Sequence, residues 1–510
     1  YHEGLLTAGT INPYREDKWD YDWFAIRNAW YFYDKVDMVN DGTPQSYINQ
    51  RKAEALGLVA QRYYEMFKRY GGLPWIDHYI TMGESIDMSR MSITRTVDSI
   101  CSLLDRAIAM PELPERNAVN EFGRVNKVAL RMLKARVLLW SASPLFNPED
   151  NQSYYPSFNK QELIKHETYD KNRWQEAADA CLEAINAAHG AGYALYTKYG
   201  DPVKDYKAAV TEFPDIDANG TAKGNPEIIW GTRPADSYAS ETYQSGSRVT
   251  IWSTLKQLRG TVGTYLIPLQ NMVDKYELRN GSDQPADYWQ TTSDPYNNLD
   301  RRFNATIYHH GYKLGKTVSP FTLDMRMEPA GDQYPAGAQN FTGYYLAKFF
   351  DDDYIAGAGN YPQAFWPYMR LSDLYLMYAE ALNEVDYESN SGEILHYVNL
   401  VRNRAGQPNL EDKPGFQATQ AYVRECIRKE RIVELCYEDQ IYFDYKRWKV
   451  GDKYIGGNMY GMRITGDMEN PTFSKFLYET RVWSSKWYLF PLYQTDVLTT
   501  NGVLAQNPGW

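Results

Sequence analysis

The sequence predicts a mainly α fold that a long, loop-rich region interrupts. Apolar residues recur at helical spacing in both terminal parts of the chain, most clearly in residues 370–384. Their apolar stripe consists of Leu371, Leu374, Tyr375, Tyr378, Ala379 and Leu382. Residues 195–368 are instead rich in Gly, Pro, Asn, Asp and aromatic residues, which is typical of loops and short strands. We therefore expect a single domain over residues 1–510, with a helical scaffold at 19–190 and 370–450 and a variable region at 195–368.

The predicted helices follow one another with short turns between them. They occupy residues 22–39, 52–70, 94–108, 124–142, 174–188, 370–384, 391–404 and 419–448. The fourth helix ends at Ser143-Pro144, because a proline ring cannot continue a helix. Antiparallel helix pairs with Ala at points of close approach are typical of tetratricopeptide-like hairpins. Residues 227–233 and 343–350 are the clearest strands of the loop-rich region.

Composition excludes two classes of protein. The formal net charge is −11 and no run of Lys or Arg occurs, so the basic footprint of a nucleic-acid surface is missing. No run of about 18 apolar residues occurs, so no transmembrane helix is predicted. Aromatic residues reach 15%, with 44 Tyr and 14 Trp. Rings with an apolar face and a polar edge suit sugars, although large helical proteins also use Tyr between packed helices.

No motif predicts a catalytic nucleophile or a resident cofactor. The GxSxG, HExxH, P-loop and GxGxxG patterns do not occur in a supporting context. Adjacent His309 and His310 would point to opposite faces of a strand, which argues against a shared metal. Asp351-Asp352-Asp353 lacks the spacing of a known calcium loop, so we expect a solvated turn there, with a structural calcium ion as the alternative. We assign no catalytic residue, no metal ligand and no cofactor.

The four cysteines are predicted to be buried free thiols. Cys101, Cys181, Cys426 and Cys436 are widely spaced in helix-like segments and form neither a CxxC pair nor a zinc pattern. A disulfide between Cys426 and Cys436 is an alternative only if the chain breaks between them. Ten residues of one helix would hold them about 15 Å apart, which is too far for a bridge.

A series of sequence blocks spans most of the chain. In order, they are WDYDWFAIRNA, AEALGLVAQRYYEMFKRYGGLPWI, residues 94–114, IPLQNMVDKYELRNG, DRRF, RLSDLYLMYAEALNE, VNLVRNRAG, ERIVELCYEDQIYFDYKRW and the closing QNPGW. These blocks and their order resemble the SusD/RagB family. Its members are surface lipoproteins that capture glycans for an outer-membrane transporter.

The resemblance implies a SusD-like fold in which four tetratricopeptide-like hairpins pack against the loop-rich region. It also implies a non-catalytic glycan-binding protein that delivers its ligand to a SusC-like TonB-dependent transporter. A lipid anchor at the N-terminus would hold the protein on the extracellular face of the outer membrane. Because the chain opens at Tyr1 with polar sequence and no signal peptide, we expect the native N-terminus and its anchor to lie upstream.

The chain departs from the family pattern at two places. Trp30 stands where the family usually has Asn, and Asp439-Gln440 and Tyr442 replace the usual Gly and Arg of the last helical block. The second change puts one ion pair of the family in doubt but leaves the fold intact, because exposed pairs are individually worth about 0–1 kcal/mol. The same block is expected to carry a buried charge network made of Glu430, Arg431, Glu434, Glu438, Asp444 and Arg447.

Candidate ligand contacts are aromatic residues of the loop-rich region. The stretch that follows the strand at 227–233 is rich in Ser, Thr and Gly and lacks apolar neighbours at regular spacing, which predicts exposed rings. The predicted contacts are Arg233, Tyr238, Tyr243, Trp252, Tyr265 and Trp289, to which the resemblance adds Tyr14. Four other tryptophans sit inside packed motifs and are assigned to the core: Trp19, Trp140, Trp174 and Trp448.

Two other functions fit parts of the sequence. An acidic, aromatic-rich, mainly helical chain also fits a helical glycoside hydrolase, which needs two carboxylates about 5–10 Å apart in a cleft. The spacing of Asp and Glu along the chain does not identify such a pair of carboxylates. Peptide capture, as in RagB-like proteins, is the other alternative.

Overall fold

A computed structural model describes residues 5–10, 18–212, 215–216, 222–232, 267–314, 321–327, 340–350 and 366–510. Helices make up 47% of the structure and strands are few, so the prediction of a mainly α fold is confirmed. None of the helices within these ranges is long and apolar enough to cross a membrane.

The helices of the described ranges are numbered here in chain order. They are α1 (Trp19–Lys35), α2 (Gln45–Tyr70), α3 (Ile93–Ile108), α4 (Lys127–Ala142), α5 (Asn172–Gly190), α6 (Pro202–Thr211), α7 (Gln270–Val273), α8 (Tyr288–Thr291), α9 (Arg301–Thr306), α10 (Leu371–Arg404), α11 (Gln420–Glu434), α12 (Ile441–Arg447), α13 (Gly451–Tyr454) and α14 (Gln494–Thr499). The long helices pack in chain order: α1 on α2, α2 on α3, α3 on α4, α4 on α5, α5 on α10 and α10 on α11.

The described strands pair two by two, and every pair is antiparallel. They are β1 (Asp215–Ile216), β2 (Ala222–Lys223), β3 (Ile228–Thr232), β4 (Ile307–Tyr308), β5 (Lys313–Leu314), β6 (Phe321–Thr322), β7 (Tyr345–Leu346), β8 (Trp366–Arg370), β9 (Gly457–Gly466) and β10 (Pro471–Arg481). The pair β3–β8 joins the end of the first helical region to the start of α10. The long hairpin β9–β10 lies beyond residue 450, where the sequence predicted nothing regular.

Side-chain caps explain where several helices begin. The Ser92 side chain accepts from the backbone N–H of Arg95 at α3, and Asn126 accepts from Ala129 at α4. Thr419 does the same for α11. Such a cap is worth about 1 kcal/mol, because it satisfies a backbone donor that the first turn leaves unpaired.

The predicted helix 419–448 is wrong in one respect, since the chain breaks within it. Helix α11 ends at Glu434, and α12 starts only at Ile441. Between them, Tyr437 and Asp439 adopt left-handed backbone conformations with φ of 64° and 61°. A left-handed residue cannot continue an α-helix and favours glycine, which is the residue that the family pattern usually has at position 439.

Two other boundaries differ from the prediction. The helices expected at 370–384 and 391–404 form the single element α10, which is kinked at Asp386 with φ −172° and ψ 105°. Helix α6 lies inside the predicted loop region, capped by Asp201 and begun by Pro202. Both features depend on capping by residues that are close in the sequence. The spacing of apolar residues does not reveal such capping.

The main core fills the space between the long helices. Trp19, Trp140, Trp174 and Trp448 are at most 5% exposed, which confirms their assignment to the core. A second core lies under the loop-rich region, between α7–α9 and the hairpin β9–β10, and includes Tyr276, Tyr296, Phe303, Tyr344 and Phe473.

The charged residues predicted for the last helical block are buried, and they form two networks. In the first, Glu434 accepts from the guanidinium groups of Arg370, Arg404 and Arg302. The first network also contains Glu227, Glu430 and Glu438. In the second, Arg431, Asp444, Arg447, Glu380, Asp373 and Arg136 bind one another. These ion pairs join β8, α4 and α9 to the C-terminal helices.

Candidate functional site

A pocket of about 520 Å³ opens near the C-terminal end of the chain. We call it the aromatic pocket, because eight of the side chains that line it are aromatic. These are Tyr442, Phe443, Tyr445, Tyr454, Trp483, Trp487, Phe490 and Trp510. The remaining lining residues are Leu6, Lys18, Arg69, Asp439, Ile455, Arg481 and Val482. Its volume is in the range that small-molecule ligands occupy in proteins.

Four separate segments bring these rings together. Helix α12 contributes three aromatic side chains, and α13 contributes Tyr454, whose ring stacks on Tyr445 with centroids 4.7 Å apart. The segment after β10 supplies Trp483 and Trp487, whose rings meet edge to face at 5.9 Å. The last residue, Trp510, is held by its indole N–H, which lies 3.2 Å from the carbonyl oxygens of residues 486 and 489.

Two glycines make room for the Trp483 ring. A Cβ atom at Gly451 would lie 2.2 Å from this ring, and one at Gly456 would lie 2.6 Å from the Trp483 Cβ. Neither approach is sterically possible, so any side chain at these positions would displace the indole. The wall of the pocket therefore depends on Gly451, the first residue of α13, and on Gly456, two residues after its end.

Two polar atoms of the lining residues, Nε of Arg69 and Nε1 of Trp487, are buried without an acceptor among the described residues. Nζ of Lys446, which does not line the pocket, is buried in the same way behind its aromatic wall. Lys446 is fully buried, and its Nζ lies 3.9 Å from the ring centroid of Phe490 and 4.6 Å from that of Tyr442. Burial, and then the nearby charge of Arg69, lower the pKa of Lys446 well below its ordinary value.

The arrangement suits a ring-shaped, oxygen-rich ligand. Six of the eight aromatic side chains are half-buried, so apolar ring surface borders the pocket. Asp439 is the only carboxylate among the described residues that line it. A pair of carboxylates flanking a scissile bond is therefore not formed by these residues.

A second feature is the outer face of α1. This helix buries Trp19, Ile26 and Trp30 on one side, yet Phe24 is 64% exposed and Tyr31 is 50% exposed. Other residues of α1 line a groove of about 720 Å³ between α1 and α2. Its apolar lining includes Ala25, Ala29, Phe32, Val36, Val39, Tyr47, Ile48, Ala55 and Leu58. Exposed aromatic side chains of this kind are typical of protein-binding faces.

The expectation of an exposed ring at Trp289 is wrong. Trp289 lies in α8 and is 4% exposed, and its indole N–H donates to the Gln284 side chain at 3.1 Å. Its ring packs edge to face on Tyr296 in the second core. The polar residues before Trp289 in the sequence lie mostly in irregular backbone, and they give no sign of the apolar surroundings that tertiary packing provides.

The other predicted contacts lie outside the described residues, and they stay predictions. They are Tyr14, Arg233, Tyr238, Tyr243, Trp252 and Tyr265. The segment Asp351-Asp352-Asp353 also lies outside the described ranges.

The adjacent residues His309 and His310 pack against the second core. The His309 ring stacks on Phe303, and its two nitrogens lie within hydrogen-bond distance of the His310 carbonyl and the Asn304 side chain. Burial lowers the pKa of His309 to about 4. Within the part of the chain that the structure describes, no group of three His, Cys, Asp or Glu residues is arranged to hold a metal ion.

All four cysteines carry free thiols. Cys181 and Cys436 are buried as predicted, whereas Cys101 and Cys426 are half-buried. The chain does break between Cys426 and Cys436, but the two residues do not form a bridge.

Comparison with known proteins identifies the family. A model of the SusD family matches residues 226–510, which is more than half of the chain. The chain belongs to the SusD family. Carbohydrate binding is characteristic of this family's members. The curated SusD-like protein P2 of Formosa agariphila is 28% identical over 170 residues, and the match covers 32% of this chain and 30% of that protein.

Solved structures of the SusD family share the fold. A SusD-like protein from Bacteroides fragilis has a TM-score of 0.77 at 23% identity and covers 100% of this chain and 88% of its own. Surface glycan-binding protein A from Bacteroides thetaiotaomicron, solved in complex with laminarihexaose, has a TM-score of 0.55 at 17% identity, covering 96% of this chain and 84% of its own. These likenesses agree with the mainly helical architecture.

The sequence did not predict the aromatic pocket of this SusD-family chain. Tyr442, Phe443 and Tyr445 lie in the last helical block and Trp510 in the closing QNPGW, which were interpreted as fold signatures of the family. No function was predicted for the segment that carries Tyr454, Trp483, Trp487 and Phe490. One signal was available in WSSKWYLF, where Trp483, Trp487 and Phe490 recur in a segment for which no helix or strand was predicted.

Proposed function

We propose that this SusD-family protein is a non-catalytic glycan-binding protein and that the aromatic pocket holds part of the glycan. The observation that carries this proposal is the pocket itself, with eight aromatic side chains around about 520 Å³. Sugar rings offer apolar faces for stacking and hydroxyl groups for the polar edges of Tyr and Trp. Tyr14, Arg233, Tyr238, Tyr243, Trp252 and Tyr265 remain proposed contacts of the same ligand.

A glycoside hydrolase fits the described pocket less well. General acid and nucleophile or base are both carboxylates in most such enzymes, and the described lining supplies Asp439 alone. Release of reducing ends during prolonged incubation with candidate polysaccharides would favour the hydrolase, particularly if Asp439→Asn abolished it. Capture of a peptide in preference to every glycan would favour the RagB-like alternative.

Truncation of a pocket aromatic is expected to weaken glycan binding. We expect Trp483→Ala or Trp510→Ala to lose about 1–3 kcal/mol of binding free energy, by analogy with base stacking on aromatic side chains. This loss corresponds to about 5-fold to 150-fold in affinity. Affinity gel electrophoresis against a panel of polysaccharides measures it directly.

Tyr478→Ala is the matched control for these variants. Tyr478 is an exposed aromatic residue of β10 that does not line the pocket. Normal binding by Trp483→Ala and Trp510→Ala, to a glycan that the wild type retains, would contradict a role for the pocket.

Delivery of the glycan requires a partner, and we propose that the outer face of α1 docks on a SusC-like TonB-dependent transporter. The supporting observation is its exposed aromatic surface, at Tyr21, Phe24 and Tyr31, which is unusual for a water-facing helix. We propose that a lipid anchor keeps the protein on the extracellular side of the outer membrane, beside that transporter.

Charges placed on this face are expected to break the complex. We expect Phe24→Asp combined with Tyr31→Asp to abolish co-purification of the transporter in mild detergent, because burying unpaired carboxylates at an interface is costly. Both side chains are exposed, so the melting temperature should stay within about 1–2 °C of wild type, as expected for surface substitutions. Phe341→Asp, at an exposed residue of the loop-rich region, is the control. Undiminished recovery of the transporter with the double variant would rule out this docking face.

A further inference from the structure

We propose that Asp439 and Lys18 determine the specificity of the aromatic pocket, which selects a sugar ring with free hydroxyl groups over one whose hydroxyl groups are acylated. This inference rests on the proposed function, and it adds the substrate class. Both residues line the pocket. Each carries a charged side chain on a left-handed backbone, with φ of 61° at Asp439 and 60° at Lys18. No other described residue of the lining has a positive φ.

The left-handed backbone of these two residues has a conformational cost. In this region the Cβ atom crowds the following carbonyl group, and glycine is the residue that avoids the clash. Aspartate adopts the conformation more readily than most residues do, whereas lysine adopts it rarely. Costly backbone conformations of this kind cluster at ligand-binding sites, where the position of the side chain outweighs the strain. Two of them at one pocket therefore indicate that both side chains act on its ligand.

Buried neighbours in the chain hold the two residues in place. Glu438, which precedes Asp439, is buried and accepts two hydrogen bonds from the Arg370 guanidinium, both at 2.8 Å. Trp19, which follows Lys18, is also buried, and its indole N–H donates to the Asp496 carboxylate at 2.8 Å. The two charged groups are therefore presented from a fixed backbone, so that little backbone entropy is lost when a ligand binds.

The two arginines of the lining already have carboxylate partners. Arg69 binds Glu65 at 2.6 Å, and Arg481 binds Glu479 at 2.6 Å. The remaining charged side chains of the lining are the proposed pair, and neither forms a hydrogen bond or an ion pair with the described residues. One carboxylate and one ammonium group are thus available to a ligand, and their charges balance.

Free hydroxyl groups match this pair of charges. The Asp439 carboxylate offers only acceptors and the Lys18 ammonium group only donors, whereas a hydroxyl group both donates and accepts. A hydroxyl that donates to the carboxylate forms a charge-assisted hydrogen bond, which is about twice as strong as a neutral one. An O-acetyl group keeps acceptors but has no donor, so it would take water from the carboxylate and leave it unpaired. Asp439 therefore distinguishes free from acylated sugar rings, while the aromatic side chains bind the apolar face of the ring.

The test compares free and O-acetylated forms of one glycan. An array of polysaccharides that includes laminarin, xylan, glucomannan and galactan first identifies a polymer that the wild-type protein binds. This polymer is then acetylated on part of its hydroxyl groups, and both forms are compared in affinity gels. We expect the wild type to bind the free form about tenfold or more tightly than the acetylated form, as for the loss of one charge-assisted hydrogen bond.

Asp439→Asn and Asp439→Gly are the informative variants. Asparagine keeps the shape of the side chain and tolerates the left-handed backbone, and glycine adopts that backbone without strain. Both remove the carboxylate, so we expect each to bind the free form about tenfold more weakly and to lose the preference over the acetylated form. The melting temperature of Asp439→Gly should equal or exceed that of the wild type. A purely structural Asp439 would not combine unchanged or higher stability with lower affinity.

Lys18→Met separates the two roles. It removes the ammonium group, so the affinity for the free form should fall by about tenfold. The preference for the free form should remain, because both the hydroxyl and the acetyl oxygens can accept from Lys18 and the difference between the two forms arises at Asp439.

Asp452→Asn is the matched control. Asp452 is an exposed carboxylate of α13 that does not line the pocket, although α13 supplies Tyr454 to its wall. This variant should keep both the affinity and the preference of the wild type.

Two results would overturn the inference: equal binding of the free and acetylated forms by the wild type, or a preference for the free form that survives in Asp439→Asn and Asp439→Gly. In either case, loss of binding in Trp483→Ala would still support glycan binding by the pocket. Unchanged binding by Trp483→Ala, or no binding of the wild type to any member of the array, would instead contradict the proposed function.

Discussion

Glu434→Gln is expected to destabilise the protein by about 3–5 kcal/mol, the usual cost of breaking a buried ion pair by removing one partner. Glu434 is fully buried and accepts from Arg370 at 3.0 Å, from Arg302 at 3.1 Å and from Arg404. Glutamine keeps the shape of the side chain but removes the charge that the three guanidinium groups share. Unfolding by urea, followed by circular dichroism, measures the free energy.

The neighbouring helix face offers a matched control. Glu425 lies on the same helix, α11, and pairs with Arg428, but its side chain is 57% exposed. Glu425→Gln should change stability by no more than about 0–1 kcal/mol. Equal losses of unfolding free energy in the two variants would show that burial does not determine the effect of removing the charge. That result would contradict a stabilising role for the buried ion-pair network.

The same carboxylate predicts a direction for the pH dependence. Burial alone would raise the pKa of Glu434, but Arg404, Arg370 and Arg302 together hold it well below its ordinary value. A carboxyl with a lowered pKa in the folded state contributes stability above the unfolded pKa of about 4.3, and this contribution is lost as the pH falls below it. We therefore expect Glu434→Gln to flatten the loss of stability between about pH 4 and pH 2.

The helical scaffold could be predicted because its signal is local. An α-helix has 3.6 residues per turn, so the apolar residues of its buried face recur at that spacing in the sequence. This spacing is visible in α3 and in the first half of α10. The break between α11 and α12 was not predicted, because it depends on two left-handed residues, Tyr437 and Asp439, neither of which is glycine. The charged residues of the last block were predicted to be buried, but not their division into two networks.

The aromatic pocket could not be predicted, because its wall is assembled by tertiary packing. Tyr454, Trp483 and Trp510 come from separate segments, and Arg69 reaches them from α2. No spacing along the chain relates these positions. The wrong prediction for Trp289 has the same cause. The polar residues beside it in the sequence do not indicate which distant residues pack against its ring.

Trp289→Ala and Trp252→Ala are expected to give opposite results. Trp289 is 4% exposed and packs in the second core, so its truncation should cost about 3–5 kcal/mol of folding free energy, as for a buried large-to-small change. Trp252 lies outside the described residues and stays a predicted ligand contact. Its truncation should weaken glycan binding by about 1–3 kcal/mol and leave the melting temperature nearly unchanged.

The two measurements must be made on both variants, because a destabilised protein can lose binding indirectly. Glycan affinity is therefore compared at a temperature well below the melting point of Trp289→Ala, where its folded fraction is complete. We expect this variant to bind normally there, since its indole N–H donates to Gln284 inside the core and its ring packs on Tyr296. Weak binding by a fully folded Trp289→Ala would mean that the ring acts on the ligand after all, and a large drop in the melting temperature of Trp252→Ala would place that residue in a core as well.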